Sequence, residues 1–144
     1  MTNFTIDTST LISRKLSDLP DSFLFSSVAL MELMASAKDD SWRKTLESLY
    51  RKYAKNGSLI VPNVEDWLMA SKVLYWLAHG RKRNAKGKFP RLISGASQRM
   101  ALDALIAVSA KRWKATVITD NWDDFKSIQK YCSVEIVKAS EFFS

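Results

Sequence analysis

Cysteine and histidine are nearly missing from these 144 residues: Cys132 and His79 are the only examples of each. A single thiol allows no disulfide within the chain, and one Cys with one His cannot build a structural zinc cage. A Ser-His-Asp or Cys-His relay would have to use His79. That residue adjoins the basic run 80-GRKRNAKGKFPR-91, far in sequence from any nucleophile in a matching context. Glycine (four) and proline (three) are also scarce, and no linker, repeat or low-complexity stretch interrupts the chain. Apolar runs stay well below the roughly 18 residues that span a bilayer. The opening MTNFTIDTST lacks the basic and then apolar order of a secretory signal. The expectation is a cytoplasmic protein with no membrane association, in a reducing compartment. Any chemistry is left to carboxylates, hydroxyls or an oxygen-bound metal.

What the chain does contain is apolar residues (47%), aromatics (11%) and an uneven charge. The length fits a single domain, 1–144, with enough material to bury about two-thirds of its unfolded surface. The net charge is +7, from 22 bases and 15 acids. Residues 81–99 carry Arg81, Lys82, Arg83, Lys86, Lys88, Arg91 and Arg99 with no acid, so the whole excess lies on this segment. Such a segment reads as a contact for a polyanion, nucleic acid first, or else as a solvated loop.

Periodicity predicts strands at 3–7, 22–27, 58–62, 115–119 and 133–137. Helices are expected over 8–16, 28–37, from Asp39-Asp40-Ser41 to Asn56-Gly57, 64–79, 94–112, 121–131 and 139–143. Asn63 with Asp66 resembles a capping pair. Strands alternating with helices point to an α/β fold with a parallel sheet covered on both faces.

Several acids break the local pattern. Asp7 ends the first strand, where ligands of open α/β sheets bind, although it equally suits the N-cap of the next helix. Glu32 and Asp103 lie in VALMELMASA and MALDALIAVSA, helices that are apolar nearly all round and therefore expected to be buried. A buried carboxylate needs a cation, either a basic side chain or a metal. Asp120 ends the fourth strand. Asn121 and Asp124 read either as site residues or as a capping pair, and Asp123 as a first-turn acid. An all-oxygen ligand set suits Mg²⁺ or Mn²⁺ rather than zinc, and such sites handle phosphates.

The ordered segments 6-IDTSTLI-12, 27-SVALMEL-33, 102-LDALIAVSA-110 and 118-ITDNWDDF-125 resemble the PIN-domain ribonucleases, and among them the VapC-type toxins of toxin–antitoxin pairs. The resemblance spans nearly the whole chain. It implies a three-layer α/β/α sandwich with a mostly parallel five-stranded sheet, and a Mg²⁺- or Mn²⁺-dependent endoribonuclease acting on RNA. It also implies a homodimer and a VapB-like antitoxin partner. By position, Asp7 and Asp103 match the principal metal-binding acids and Glu32 the acid of the second motif, with Ser27 ahead of it. Thr119 matches the hydroxyl of the fourth motif, and Thr8 is a supporting hydroxyl. The family's fourth position falls on Asn121, with Asp120 and Asp124 on either side, and which of the three completes the site stays open. A phosphatase of the haloacid-dehalogenase type would need an acid where Ser9 stands. The remaining rival is a PIN-like RNA-binding module without catalysis. The apolar faces Trp42, Leu46, Leu49, Tyr50, Tyr53 and Trp67, Leu68, Leu74, Leu77 are expected to be core in part and interface in part.

Overall fold

A computed structural model describes residues 2–13, 19, 22–79 and 94–144, with side chains in the last stretch from 98 onward. The element order is β1 (Asn3–Ile6), α1 (Thr8–Ile12), β2 (Phe25–Ser26), α2 (Ser27–Ala35), α3 (Asp40–Lys55), β3 (Leu59–Ile60), α4 (Val64–His79), α5 (Ser94–Arg112), β4 (Ala115–Thr119), α6 (Trp122–Gln129), β5 (Ile136–Lys138) and α7 (Ala139–Phe142). All strand pairs are parallel. β1 pairs with β4 and β4 with β5, while β2 pairs with β3. The two pieces meet at one parallel bridge, Phe4 with Phe23. Two backbone bonds make it: Phe4 N–H donates to the Ser22 carbonyl at 3.2 Å, and Leu24 N–H to the Phe4 carbonyl at 2.7 Å. The five strands therefore run in the order β3-β2-β1-β4-β5, and the carboxyl ends of β1 and β4 lie side by side.

The core explains this layering. Ile6, Val117 and Ile118 of the central strands are buried, as are Ala104 to Ala110 of α5 and Phe125 and Ile128 of α6. Phe23, Phe25 and Tyr53 pack edge to face, with centroids 4.7 and 4.5 Å apart, so β2 is pinned under α3. Asp39 caps α3 by accepting from Trp42 N–H at 2.7 Å, and Gly57 ends the segment with a φ of +72°, a conformation that favours glycine. Asn63 and Asp66 form the expected reciprocal cap, at 2.8 and 3.0 Å. Arg112 then joins α5 to α4 by donating to Asp66 at 2.9 Å and to the Val61 carbonyl at 2.7 Å. No helix among the described residues is long and apolar enough to cross a membrane.

Three expectations need correction. The first helix closes at Ile12, where Ser13 N–H turns back to the Thr10 carbonyl. The last strand is Ile136–Lys138 rather than 133–137, because Val134 N–H folds onto the Cys132 carbonyl and its own carbonyl is taken by Gln129. Glu32 is not buried in an all-apolar helix: only Val28, Ala29 and Leu30 of α2 are buried, and Met31 is 50% exposed. Arg81, Lys82, Arg83, Lys86, Lys88 and Arg91 lie outside the described residues.

Candidate active site

The carboxyl ends of β1 and β4 open into a cleft of about 520 Å³ lined by Thr8, Ser9, Ser13, Glu32, Arg99, Asp103, Asp120, Asn121 and Asp124. Asp7, at the end of β1, is only 1% exposed and does not itself line the cleft, but it lies close enough for its charge to act on Asp103. Although Asp7 occupies the N-cap position of α1, its carboxylate caps nothing. It accepts instead from the Ser9 hydroxyl at 3.0 Å through Oδ2, while Oδ1 is buried without a partner. A buried carboxylate oxygen with no close donor favours a proton or a cation. Burial accordingly pushes the Asp7 carboxyl above its usual range, partly offset by the hydroxyls of Thr10, Ser9 and Thr119.

Asp103 enters from α5. Its pKa is pushed up to about 8, first by burial and then by the charges of Asp7, Glu32 and Asp124; the Asn121 amide acts in the opposite direction. The cause distinguishes this site from a structural ion pair, since the charged neighbours that perturb Asp103 have its own sign.

Asn121 and Asp124 resolve their two readings in the same way as Asp7. Asn121 stands at the N-cap of α6, yet its side chain makes no cap bond. Its amide donates to Asp103 at 3.2 Å and to Asp124 at 2.9 Å, holding two acids that would otherwise repel. Thr119 closes the turn that leads into α6, its hydroxyl accepting from Asn121 N–H at 2.8 Å. Thr10, absent from the residues expected at the site, accepts from Asp120 N–H at 2.8 Å and so ties the loop after β4 to α1. Its signal in the sequence is a hydroxyl in the first turn after a strand-end acid, too common to stand out. Asp120 itself is exposed on the lip.

Glu32 reaches the cleft from α2 as a half-exposed group, and the Thr8 hydroxyl donates to it at 2.6 Å. Ser27 does not join the site: it lines a separate apolar groove with Met31, Met34, Tyr50, Val61 and Trp67. Arg99, one helical turn before Asp103, lines the cleft, and among the described residues it is the basic residue of the 81–99 segment.

The donor set is all oxygen, which fits a hard divalent cation. Among the described residues, however, no three acids, histidines or cysteines gather closely enough to enclose an ion. The arrangement fits an ion that keeps most of its water and takes one or two carboxylates, as Mg²⁺ commonly does. The orphaned Asp7 oxygen and the proton-hungry Asp103 are the two groups such an ion would satisfy.

No family model and no curated protein matches this sequence. Solved structures do match. A chain of a DNA-bound VapBC from Salmonella typhimurium aligns with a TM-score of 0.60 and 19% identity, over 96% of this chain and 99% of the other. A chain of VapBC2 from Rickettsia felis, bound to a promoter DNA fragment, gives 0.59 and 17%, over 95% and 98%. A chain of FitAB bound to an IR36 DNA fragment gives 0.59 and 16%, over 94% of each. Over about 95% of its length, the PIN-like α/β architecture expected from the sequence is the fold of this chain.

Proposed function

We propose that this chain is a Mg²⁺- or Mn²⁺-dependent endoribonuclease and the toxin of a toxin–antitoxin pair. One observation carries the reading. Asp103, held near pKa 8 largely by burial and other acids, lines the cleft at the strand ends, and Asp7, with a buried unpartnered oxygen, lies beside it within reach of the Asp103 charge. A site that accumulates unpaired negative charge is built to receive positive charge.

Asp7 and Asp103 would hold the ion, with Glu32 or Asp120 able to contribute. Once bound, the cation supplies a more acidic water and neutralises charge on the phosphoryl oxygens. The chain's own residues do the rest. Thr8 fixes the Glu32 carboxylate, and Asn121 fixes Asp103 and Asp124, so the acids do not swing apart. Arg99 brings a guanidinium to the rim, suited to a backbone phosphate on either side of the bond being cut. The basic residues of segment 81–91 add charge of the sign that attracts a polyanion.

The fold shared with VapBC and FitAB chains supports a VapB-like antitoxin as partner. The apolar groove of Met31, Tyr50, Val61 and Trp67 gives a protein segment something to bury. A basic residue on that segment, reaching the acid cleft, would compete with the metal. Val64, Trp67, Leu68, Tyr75 and Trp76, all at least half exposed on α4, favour a homodimer.

The deciding experiment is cleavage of labelled RNA with Mg²⁺, with Mn²⁺ and with EDTA, by wild type, Asp7→Asn and Asp103→Asn. Wild type should cut only with metal, and neither variant should cut. A folded wild type that binds RNA but cuts it under none of these conditions is instead the binding module.

A further inference from the structure

The geometry points to a nucleotide-binding shelf beside the acid cleft, made by Trp122, Lys126 and Lys138, for the residue of single-stranded RNA adjoining the bond that is cut. The inference rests on the nuclease reading and adds a subsite to it.

The helix α6 presents three different faces at the cleft. Asn121 and Asp124 turn to the acids, and Phe125 and Ile128 go into the core. Trp122 and Lys126, four residues apart, share the remaining face. Lys138 comes from the end of the neighbouring strand. Its partner in the register is Thr119, and Ile6 pairs with Ile118, so Asp7, Thr119 and Lys138 stand in one row across the carboxyl edge of the sheet. Two strand spacings of about 4.8 Å put the Lys138 backbone roughly 10 Å from that of Asp7. An adjoining nucleotide can cover that span.

The side chains at that position have the two properties a single strand requires. The Lys138 ammonium lies over the Trp122 ring at 5.2 Å, and that of Lys126 at 5.7 Å. Neither lysine has an acid partner among the described residues; Lys126 donates only to the Gln129 amide oxygen, at 3.2 Å. Trp122 is half-buried, so its ring is held while part of it meets solvent. Exposed cation–π contacts are weak, so an arriving base can replace the ammonium groups on the ring. The lysines then turn to the phosphate, whose charge they can meet at full strength. A ring for the base, with two mobile cations beside it, is the arrangement by which proteins bind single strands without reading sequence.

The test uses a fluorescein-labelled, 2′-O-methylated oligoribonucleotide of ~10 nucleotides, within the usual site size. Binding is followed by anisotropy in EDTA over a range of salt, with thermal melts to confirm folding. Trp122→Leu should weaken binding roughly tenfold, and Trp122→Phe should recover most of it. The pair Lys126→Gln and Lys138→Gln should lower the slope of log affinity against log salt by about 1.4, or 0.7 for each phosphate no longer neutralised. In the cleavage assay the losses should fall on KM. If wild type binds the strand and Trp122→Leu and the lysine pair bind it equally well at every salt concentration, the shelf does not exist. If wild type binds no strand at all, both the shelf and the nuclease reading fall. Losses of binding in the variants, in a wild type that never cuts RNA, uphold the shelf and remove only the nuclease.

Discussion

Replacing Asp103 with Asn tests the charge frustration of the cleft through stability rather than turnover. Asp103 is raised from an ordinary 3.8 to about 8 in the folded protein. Between those values the folded chain keeps a proton that the unfolded chain has released. Stability therefore falls as pH rises from about 4 to about 8, and the full penalty is present above 8. At 1.36 kcal/mol per tenfold, the unscreened penalty is about 5–6 kcal/mol. The cleft opens to water on one side, and screening there reduces it to roughly 2–3 kcal/mol. Asp103→Asn keeps the shape, still accepts from the Asn121 amide, and removes the ionisation. Melts in EDTA should show the variant equal to wild type near pH 3 and about 5–10 °C more stable near pH 8.5, given the usual response of chains this size. Adding Mg²⁺ at ~100 times its dissociation constant should restore about 2.7 kcal/mol to wild type and little to the variant. A gap between the two proteins that is constant across this pH range would refute the reasoning. So would a Mg²⁺ response of equal size in both.

Arg112→Ala leaves Asp66, 5% exposed at its side chain, without its guanidinium. Breaking a buried pair costs about 3–5 kcal/mol, and because Arg112 is itself 37% exposed, urea unfolding should show about 2 kcal/mol. Asn121→Leu removes the amide between Asp103 and Asp124 and should lower metal affinity or kcat by about 10–100-fold, read by metal titration of the cleavage rate. Changing Arg81, Lys82, Arg83, Lys86 and Lys88 together to Gln should flatten the salt dependence of RNA binding by about 0.7 for each phosphate these side chains neutralise; an unchanged slope means that the segment is merely solvated.

Periodicity located most elements well because their signals were local. The α4 helix runs from Val64 to His79 and α5 from Ser94 to Arg112, as expected, each opened by a polar residue or cap and bounded by a change of pattern. Strand ends were less legible. Ser133 to Val137 alternates like a strand, but a turn at Cys132 and a side-chain bond from Gln129 delay pairing to Ile136, and neither interaction has a local signature. The site was legible as a set of acids and not as a set of roles. Asp7 and Asn121 each occupy a helix N-cap, and sequence cannot tell a cap from a ligand when one position serves both. Only the direction of the side chain distinguishes them, and that is set by surroundings drawn from distant parts of the chain, such as Thr119 for Asp7 and Asp103 for Asn121. Glu32 was misjudged because an apolar helix need not be covered on every side. α2 buries one short stretch and leaves Met31 to solvent.

Among the described residues, only the bridge between Phe4 and Phe23 joins the two pieces of the sheet, like two rafts lashed together. Asp7 and Asp120 follow strands of one raft, with Asp103 packed over them, whereas Glu32 rides on the helix that leaves the other. The acids of the candidate site thus straddle a seam. The Thr8–Glu32 hydrogen bond, 2.6 Å long, crosses it at the level of the cleft. A shift of β2 and β3 against β1 would carry Glu32 away from the other acids, against the packing of the core that both pieces share. Whatever binds across the cleft, metal with substrate or a partner's segment, therefore also fastens the rafts. Backbone amides near Leu24 and Phe25 should exchange their hydrogens more slowly when it is filled.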